Sequence, residues 1–280
     1  MSNISLKLSK EKIAKLKETF KEYIVPSPNE YIDTFIKNDD LTISIYKNEK
    51  VVFQGKDALF YGSAYLDIKN NRQAGSDEVG TGDYFGPVCV CACIIEEKDY
   101  EYINKTGITD SKKMTDETIL DIAPYLINKL KHSLLILDNK TYNKVHMDNN
   151  LNEIKAKLHN QAYINMKNKG YNLPNACYID EFANENLYYS YLKNETNVFH
   201  NLTFETKAES KYPAVACASV IARYAFLQKM KEMEQKYKMS FHKGAGEDVD
   251  KDAISFVNTY GKEHLNEVAK LHFKNTEKII

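Results

Sequence analysis

The segment Gly75-Ser-Asp-Glu-Val-Gly-Thr-Gly-Asp-Tyr-Phe-Gly-Pro-Val88 carries two adjacent carboxylates, Asp77 and Glu78, into a glycine-rich turn. The turn feeds an uninterrupted apolar run, Val88 to Ile95. Neighbouring side chains on a strand face opposite ways. A strand that ends in such a turn nevertheless brings both carboxylates to its edge. The apolar run is far shorter than the ~20 residues needed to span a bilayer, so it reads as a buried strand. Cys89, Cys91 and Cys93 alternate along it and share one face. A tetrahedral zinc site uses wider pairs, so these thiols are expected to be buried and free.

Downstream, the spacing of apolar residues predicts helices and strands in alternation. Helices are expected over 119–131, 151–169, 187–192, 213–239, 250–261 and 264–271. Strands are expected over 133–137, 176–180 and 202–206. Gly170 suits a left-handed helix cap, and Pro213 suits a first helical turn. Strands alternating with helices argue for an α/β layer architecture. Upstream, Leu8, Ile13, Leu16, Phe20, Tyr23 and Ile24 repeat at helical spacing until Pro26 and Pro28 stop them. Residues 31–37, 41–46 and 51–54 read as a small antiparallel meander, followed by an amphipathic piece over about 57–68. The polar stretch Lys69 to Gln73 reads as a linker, giving a small domain at 1–70 and a larger one at 71–280.

The whole chain has 280 residues and a formal net charge of -1, with 43 % apolar and 28 % charged residues. That composition excludes wholesale disorder. Near-neutral net charge gives no global case for nucleic acid but leaves room for a local basic groove. Arginine occurs only at Arg72 and Arg223 among abundant lysines, which reads as a genomic composition bias. No apolar leader precedes the first charges. With five cysteines, an odd number, the expectation is a reducing cytoplasm and no membrane association.

Two further carboxylates stand in suggestive places. Asp180 ends the strand Cys177-Tyr-Ile-Asp180, where α/β sheets place their sites. Glu209 lies in Thr206-Lys-Ala-Glu-Ser-Lys-Tyr-Pro213, just ahead of a long helix. Each alone reads as a cap or a solvated charge. Together, clustered carboxylates require cations, and hard oxygen donors suit Mg2+ or Mn2+.

At this point the chain resembles bacterial ribonuclease HIII, within the type 2 ribonuclease H superfamily. The segments that carry the resemblance are 75–88, Thr109-DSKKMTDE-Glu117, Asn150-LNEIKAKLHNQA-Ala162, Tyr178-IDEFA-Ala183, Glu205-TKAESKYPAVACASVIARY-Tyr224 and Phe241-HKGAG-Gly246. The first 70 residues are similar only in architecture to the TBP-like domain that the family carries there. The resemblance implies a ribonuclease H-like mixed sheet with flanking helices, plus a small N-terminal TBP-like α+β domain that binds substrate. It implies an endonuclease that hydrolyses the RNA strand of an RNA/DNA hybrid duplex by two-metal-ion catalysis, leaving 5′-phosphate and 3′-hydroxyl ends.

Carried over by motif, the four catalytic carboxylates are Asp77, Glu78, Asp180 and Glu209. Asp77, Glu78 and Asp180 would hold Mg2+, with Mn2+ as a substitute. Gly80, Thr81 and Gly82 would approach the sugar-phosphate chain. Ser111, Lys112, Lys207, Ser210 and Lys211 are candidate phosphate contacts. His159 and Asn160 are expected to pack, Asp83 to serve the turn, and His242 and Lys243 are further candidates for the DNA strand. The family implies a monomer with no obligate protein partner. The alternative is ribonuclease HII-like cleavage at single ribonucleotides embedded in DNA. Thr81 in place of an arginine, Glu209 in place of an aspartate and the extra N-terminal domain set it aside. The segment after Asp180, Glu181-Phe-Ala-Asn184-Glu185, departs from the Gln-Phe-Ala-Glu-Pro pattern of relatives.

Overall fold

The computed structural model describes residues 2–63, 72–108 and 114–279. The chain falls into two compact units, Met1–Lys69 and Asn70–Ile280.

In the first unit, β1 (Ser2–Lys7), β2 (Ile24–Val25), β3 (Ile32–Lys37), β4 (Leu41–Tyr46) and β5 (Lys50–Gly55) form an antiparallel sheet in the order β1-β5-β4-β3-β2. The expected three-stranded meander is therefore its centre, widened by a strand at each edge. Helices α1 (Lys10–Thr19) and α2 (Ala58–Ser63) complete the unit. Leu16, Phe20 and Ala58 bury against Ile36, Leu41, Ile43, Ile45, Val51 and Phe53. Ser9 caps α1 by accepting the Lys12 N–H, which fixes the helix start after β1. The helix expected to reach residue 24 stops at Thr19. A residue before proline avoids the helical region, so Val25, ahead of Pro26, is extended and pairs with Phe35. Of the piece expected over 57–68, residues 64–68 lie outside the described residues.

The second unit is built on β6 (Gln73–Val79), β7 (Val88–Ile95), β8 (Lys131–Leu137), β9 (Cys177–Asp180) and β10 (Thr203–Glu205), in the order β10-β9-β6-β7-β8. The pairs β6/β7 and β7/β8 are antiparallel, while β9 runs parallel to both β6 and β10. The sheet is thus mixed, as the resemblance implies. All eight residues of β7 are buried, which its unbroken apolar sequence demands of a strand covered on both faces.

One face carries α6 (Leu151–Asn168) with α5 (Asn139–His146). There Val88, Val90, Ala92 and Ile94 bury with Tyr142, Ile154, Tyr163 and Met166. The other face carries α8 (Pro213–Tyr237), whose first half is almost wholly buried. Its alanines, Ser219 and Cys217 let it lie close to the sheet. Closest approach falls at Gly75, where a Cβ would lie 2.3 Å from the Val215 nitrogen. The five cysteines are buried and free, and Cys93 donates to the Ala214 carbonyl at the start of α8. Burial pushes the thiols of Cys89 and Cys177 up to about 12.

The remaining helices are α3 (Tyr100–Thr106), α4 (Asp116–Lys129), α7 (Glu185–Tyr191), α9 (Glu247–Tyr260) and α10 (Lys274–Glu277). The sequence reading did not include α3 and α5. The expected helix 264–271 is instead a 3-10 segment, Lys262–Glu267. Its downstream residues serve the glycine-rich turn: Ala269 bridges Phe85, and the Lys270 N–H donates to the Tyr84 carbonyl. Among the described residues, no helix is long and apolar enough to cross a membrane.

Candidate active site

The register of two strands makes the site. Ser76 pairs with Ile179 in the parallel ladder of β6 and β9, so the next residues along, Asp77 near the end of β6 and Asp180 at the end of β9, lie side by side. Strands in a ladder lie ~4.8 Å apart. Their alternation puts Gly75, Asp77, Tyr178 and Asp180 on the α8 face. The Tyr178 ring stacks on Tyr212, just before α8, with centroids 3.6 Å apart. Ser76 and Glu78 face α6 instead. Beyond Val79 the chain turns at Gly80, with φ +94° and a position where a Cβ would meet the Pro87 carbonyl at 2.1 Å. Only glycine fits there.

A cleft of about 390 Å³ opens at this corner. Asp77, Glu78 and Asp180 line it together with Gly80, Thr81, Gly82 and Asp83. The Asp77 Oδ1 accepts the Glu78 N–H at 2.8 Å, and the Asp180 Oδ1 accepts the Ala208 N–H at 2.9 Å. The second bond ties Asp180 to the short turn Ala208–Ser210, which carries Glu209. Glu209 is buried in that turn and does not line the cleft.

Glu78 has a holder of its own. Its Oε1 lies 2.5 Å from the Lys155 ammonium, and its Oε2 accepts from His159 Nε2 at 3.0 Å. An ionised carboxylate only accepts, so Nε2 carries the proton. His159 Nδ1 lies 2.9 Å from the Ser76 hydroxyl. Burial pushes the Glu78 carboxyl up. The hydrogen bond and positive charge of His159, followed by the charge and hydrogen bond of Lys155, outweigh that and hold it well below the usual range. His159 was expected to pack; it is fully buried, but it packs by binding a site carboxylate.

Other placements are less direct. Lys211 pairs with Glu205 at 2.9 Å, and the Ser210 hydroxyl donates to the Lys207 carbonyl. None of Lys207, Ser210 and Lys211 lines the cleft. Ser111 and Lys112 lie outside the described residues. Asp83 serves the turn as expected, its Oδ1 accepting the Gly244 N–H. Asn184 caps α7 by accepting the Leu187 N–H, which gives the departure after Asp180 a structural use.

Ser219, Arg223 and Lys243 also line the cleft, beside the apolar Val79, Phe226 and Leu227. Arg223 and Lys243 both pair with Asp116, at whose carboxyl burial acts upward and the two cations act downward, the net being a lowered value. Arg223 and Lys155 were missed by the sequence reading. A retained arginine in a chain that otherwise prefers lysine was the available signal for the first. Lys155 and His159, one helical turn apart, were the signal for the second.

No group of three or more His, Cys, Asp or Glu side chains among the described residues is drawn together tightly enough to hold a metal ion as arranged. The carboxylates that line the cleft, on the adjacent strands β6 and β9, offer oxygen donors only, which fit Mg2+ or Mn2+.

Comparison with known proteins follows the same outline. A family model described as Ribonuclease HII matches residues 74–276. A second, described as a domain of unknown function (DUF3378), matches residues 3–78. The ribonuclease HIII of Streptococcus mutans is 42% identical over 296 residues, covering 99% of this chain and 97% of that protein. The chain belongs to the ribonuclease HIII family. The ribonuclease HIII of Lactococcus lactis subsp. lactis is 39% identical over 99% of this chain and 98% of its own length. Among solved structures, Bst-RNase HIII in complex with Mn2+ superposes with a TM-score of 0.76 at 31% identity, covering 99% of this chain and 98% of that one. The ribonuclease H2 from Pyrococcus horikoshii shares the fold at a TM-score of 0.61 and 24% identity. It covers only 74% of this ribonuclease HIII chain.

Proposed function

We propose that this chain is a divalent-metal-dependent endonuclease that hydrolyses the RNA strand of RNA/DNA hybrids, leaving 5′-phosphate and 3′-hydroxyl ends. The observation that carries the reading is the side-by-side placement of Asp77 and Asp180 in a cleft shared with Glu78 and the glycine-rich turn. Asp77, Glu78 and Asp180 would hold Mg2+, with Mn2+ able to replace it. Bound there, a pair of such ions supplies an activated water and neutralises charge on the leaving oxygen.

The chain's own residues do the rest. Asp77, next to Asp180 and bonded to the Glu78 amide, would be the central carboxylate in holding the metal. Glu209 acts from the turn that fixes Asp180. Gly80, Thr81 and Gly82 present backbone rather than bulk to the sugar-phosphate chain, so a 2′-hydroxyl can be sensed at close range. Arg223 and Lys243, which share Asp116, add positive charge to the cleft lining, and a phosphate would be attracted there without regard to base sequence. Lys207 and Lys211 would add positive charge for the phosphate chain, and the Ser111, Lys112 and Ser210 side chains are further candidate phosphate contacts. The N-terminal unit, with its lysine-rich α1, grips the hybrid. The protein works as a monomer without an obligate partner, in a reducing cytoplasm where its buried thiols stay free.

Cleavage of an end-labelled hybrid in Mg2+ by wild type and Asp180→Asn tests this. The substitution removes charge but keeps an oxygen for the Ala208 N–H. The expected loss is at least ~10²-fold, the scale for removing one charge-stabilising group, with an unchanged melting temperature. Equal cleavage by the variant refutes the site. A parallel duplex with one embedded ribonucleotide is expected to stay intact; its cleavage would establish the ribonuclease HII-like alternative.

A further inference from the structure

The reading above uses Glu78 but not the α6 side chains that hold it. Lys155 and His159 lie one turn apart on α6 and take one Glu78 oxygen each, at 2.5 and 3.0 Å. Both are buried, His159 completely. The Lys155 ammonium also stands 3.9 Å over the Phe182 ring, and the His159 ring stacks on the same ring at 5.7 Å. Phe182 follows Asp180 by two residues and donates its N–H to the Asp180 carbonyl. The Ser76 hydroxyl braces the far nitrogen of His159. The clamp therefore spans both strands that carry the site, β6 through Ser76 and Glu78, and β9 through Phe182.

A buried ammonium is strongly penalised unless it is paired. Here its partner is a carboxylate that, on the reading above, must also face a dication. Lysine and metal ion are like charges addressed to one anion. A carboxylate offers about four lone-pair directions, so the imidazole can stay bonded while a cation binds, whereas the ammonium charge opposes that cation across a short, poorly screened path.

We propose that Lys155 is a resident counter-ion for Glu78 that keeps the metal-free site neutral enough to stay folded and lowers its affinity for the incoming divalent cation, with His159 as the positioning residue for the same carboxylate. The inference rests on Glu78 being a metal ligand. Weak, exchangeable binding follows: the site holds its shape without metal, and the ion is not locked in.

The test is Mn2+ titration of the full-length protein, with free Mn2+ read by electron paramagnetic resonance, for wild type, Lys155→Met, Lys155→Arg and Glu78→Gln. Lys155→Met is expected to bind Mn2+ about tenfold more tightly, the equivalent of ~1.4 kcal/mol, while melting at a lower temperature without metal. Lys155→Arg, which keeps the charge, is expected to restore wild-type affinity. A merely structural lysine would give the opposite sign, because a loosened site binds metal less well. Unchanged or weaker Mn2+ binding by Lys155→Met overturns the proposal. If Lys155→Met does not fold, Lys155→Gln, which keeps a donor for Oε1 without the charge, carries the same expectation and the same refutation. Glu78→Gln is expected to bind Mn2+ more weakly than wild type. If it binds equally well, the assignment of Glu78 as a ligand fails first, and the counter-ion proposal falls with it.

Discussion

Adding one methyl group at Gly75 is expected to damage the catalytic unit more than any surface change. A Cβ there would lie 2.3 Å from the Val215 nitrogen, 2.6 Å from the Ala214 carbonyl carbon and 2.7 Å from Val215 Cγ2. Carbon contacts become comfortable at ~3.5 Å, so the first turn of α8 must retreat by roughly 1 Å. Two of those obstacles are backbone and cannot rotate away. The turn is also tied down: Ala214 N–H donates to the Gln73 side chain, and its carbonyl accepts from Cys93. Overpacking of this kind costs ~1–3 kcal/mol, and rigid backbone argues for the upper end.

At ~2–4 °C per kcal/mol for a domain of this size, Gly75→Ala should melt about 6–10 °C below wild type. Asp77 is two residues along the same strand, and a ~1 Å misplacement costs on the order of 10²-fold in rate. Gly82→Ala is the control, because nothing lies within 4 Å of its built Cβ. Its stability should stay within ~0.5 kcal/mol of wild type. Thermal melts by circular dichroism and hybrid cleavage on the same samples decide the matter. If Gly75→Ala melts within 2 °C of wild type, a margin of about 1 kcal/mol, α8 does not need the close approach and the packing account is wrong.

Lys270 is fully buried, donates to the carbonyls of Asp83 and Gly86, and is lowered by burial to about 7. Between that value and the ordinary 10.5 the unfolded chain carries the extra proton, so stability rises with pH across this window. Denaturant melts at pH 7 and 8.5 should show wild type gaining roughly 1 kcal/mol per pH unit relative to Lys270→Met; parallel curves would exclude the linkage. Removing residues 1–69 should raise KM for a hybrid by roughly tenfold or more, as expected when a tethered binding unit is lost, with kcat little changed. Equal KM at matched salt would remove the substrate-binding role of that unit. Lys211→Ala should change stability by less than ~1 kcal/mol, since its pair with Glu205 is half-exposed and screened by water. If Lys211 meets phosphate, the salt slope of hybrid binding falls by about 1; an unchanged slope removes it from the substrate path.

The parts of the site legible in the sequence are those written locally. Asp77 and Glu78 precede a glycine turn, and Asp180 ends a short strand, so each announces its place by its neighbours. Gly170, expected as a left-handed cap, has φ +75° after α6. The Glu78 clamp was not legible, because Lys155 and His159 are about eighty residues away and meet Glu78 only once α6 is laid across the sheet. The one-turn spacing of Lys155 and His159 shows that they share a helix face but not which carboxylate they meet. The edge strand β1 was hidden for the same reason: its pairing with β5 joins Ser2 to Gly55, and no local pattern encodes a partner fifty residues away. The false helix over 264–271 followed its apolar spacing, whereas the backbone there is taken by Tyr84, Phe85 and Gly86.

The parallel pairing of β6 with β9 has a consequence in time. Asp77 and Asp180 are brought together although they stand 103 positions apart in the chain. At ~5–20 residues per second, Asp77 leaves the ribosome roughly 5–20 s before its neighbour exists. The backbone at Ala269 and Lys270, which steadies the glycine-rich turn, follows some ninety residues later still. During that interval the nascent chain displays its acidic residues without the corner that organises them. The corner is therefore complete only after the segment around Ala269 and Lys270 has been made and has docked on the backbone of Tyr84, Phe85 and Gly86.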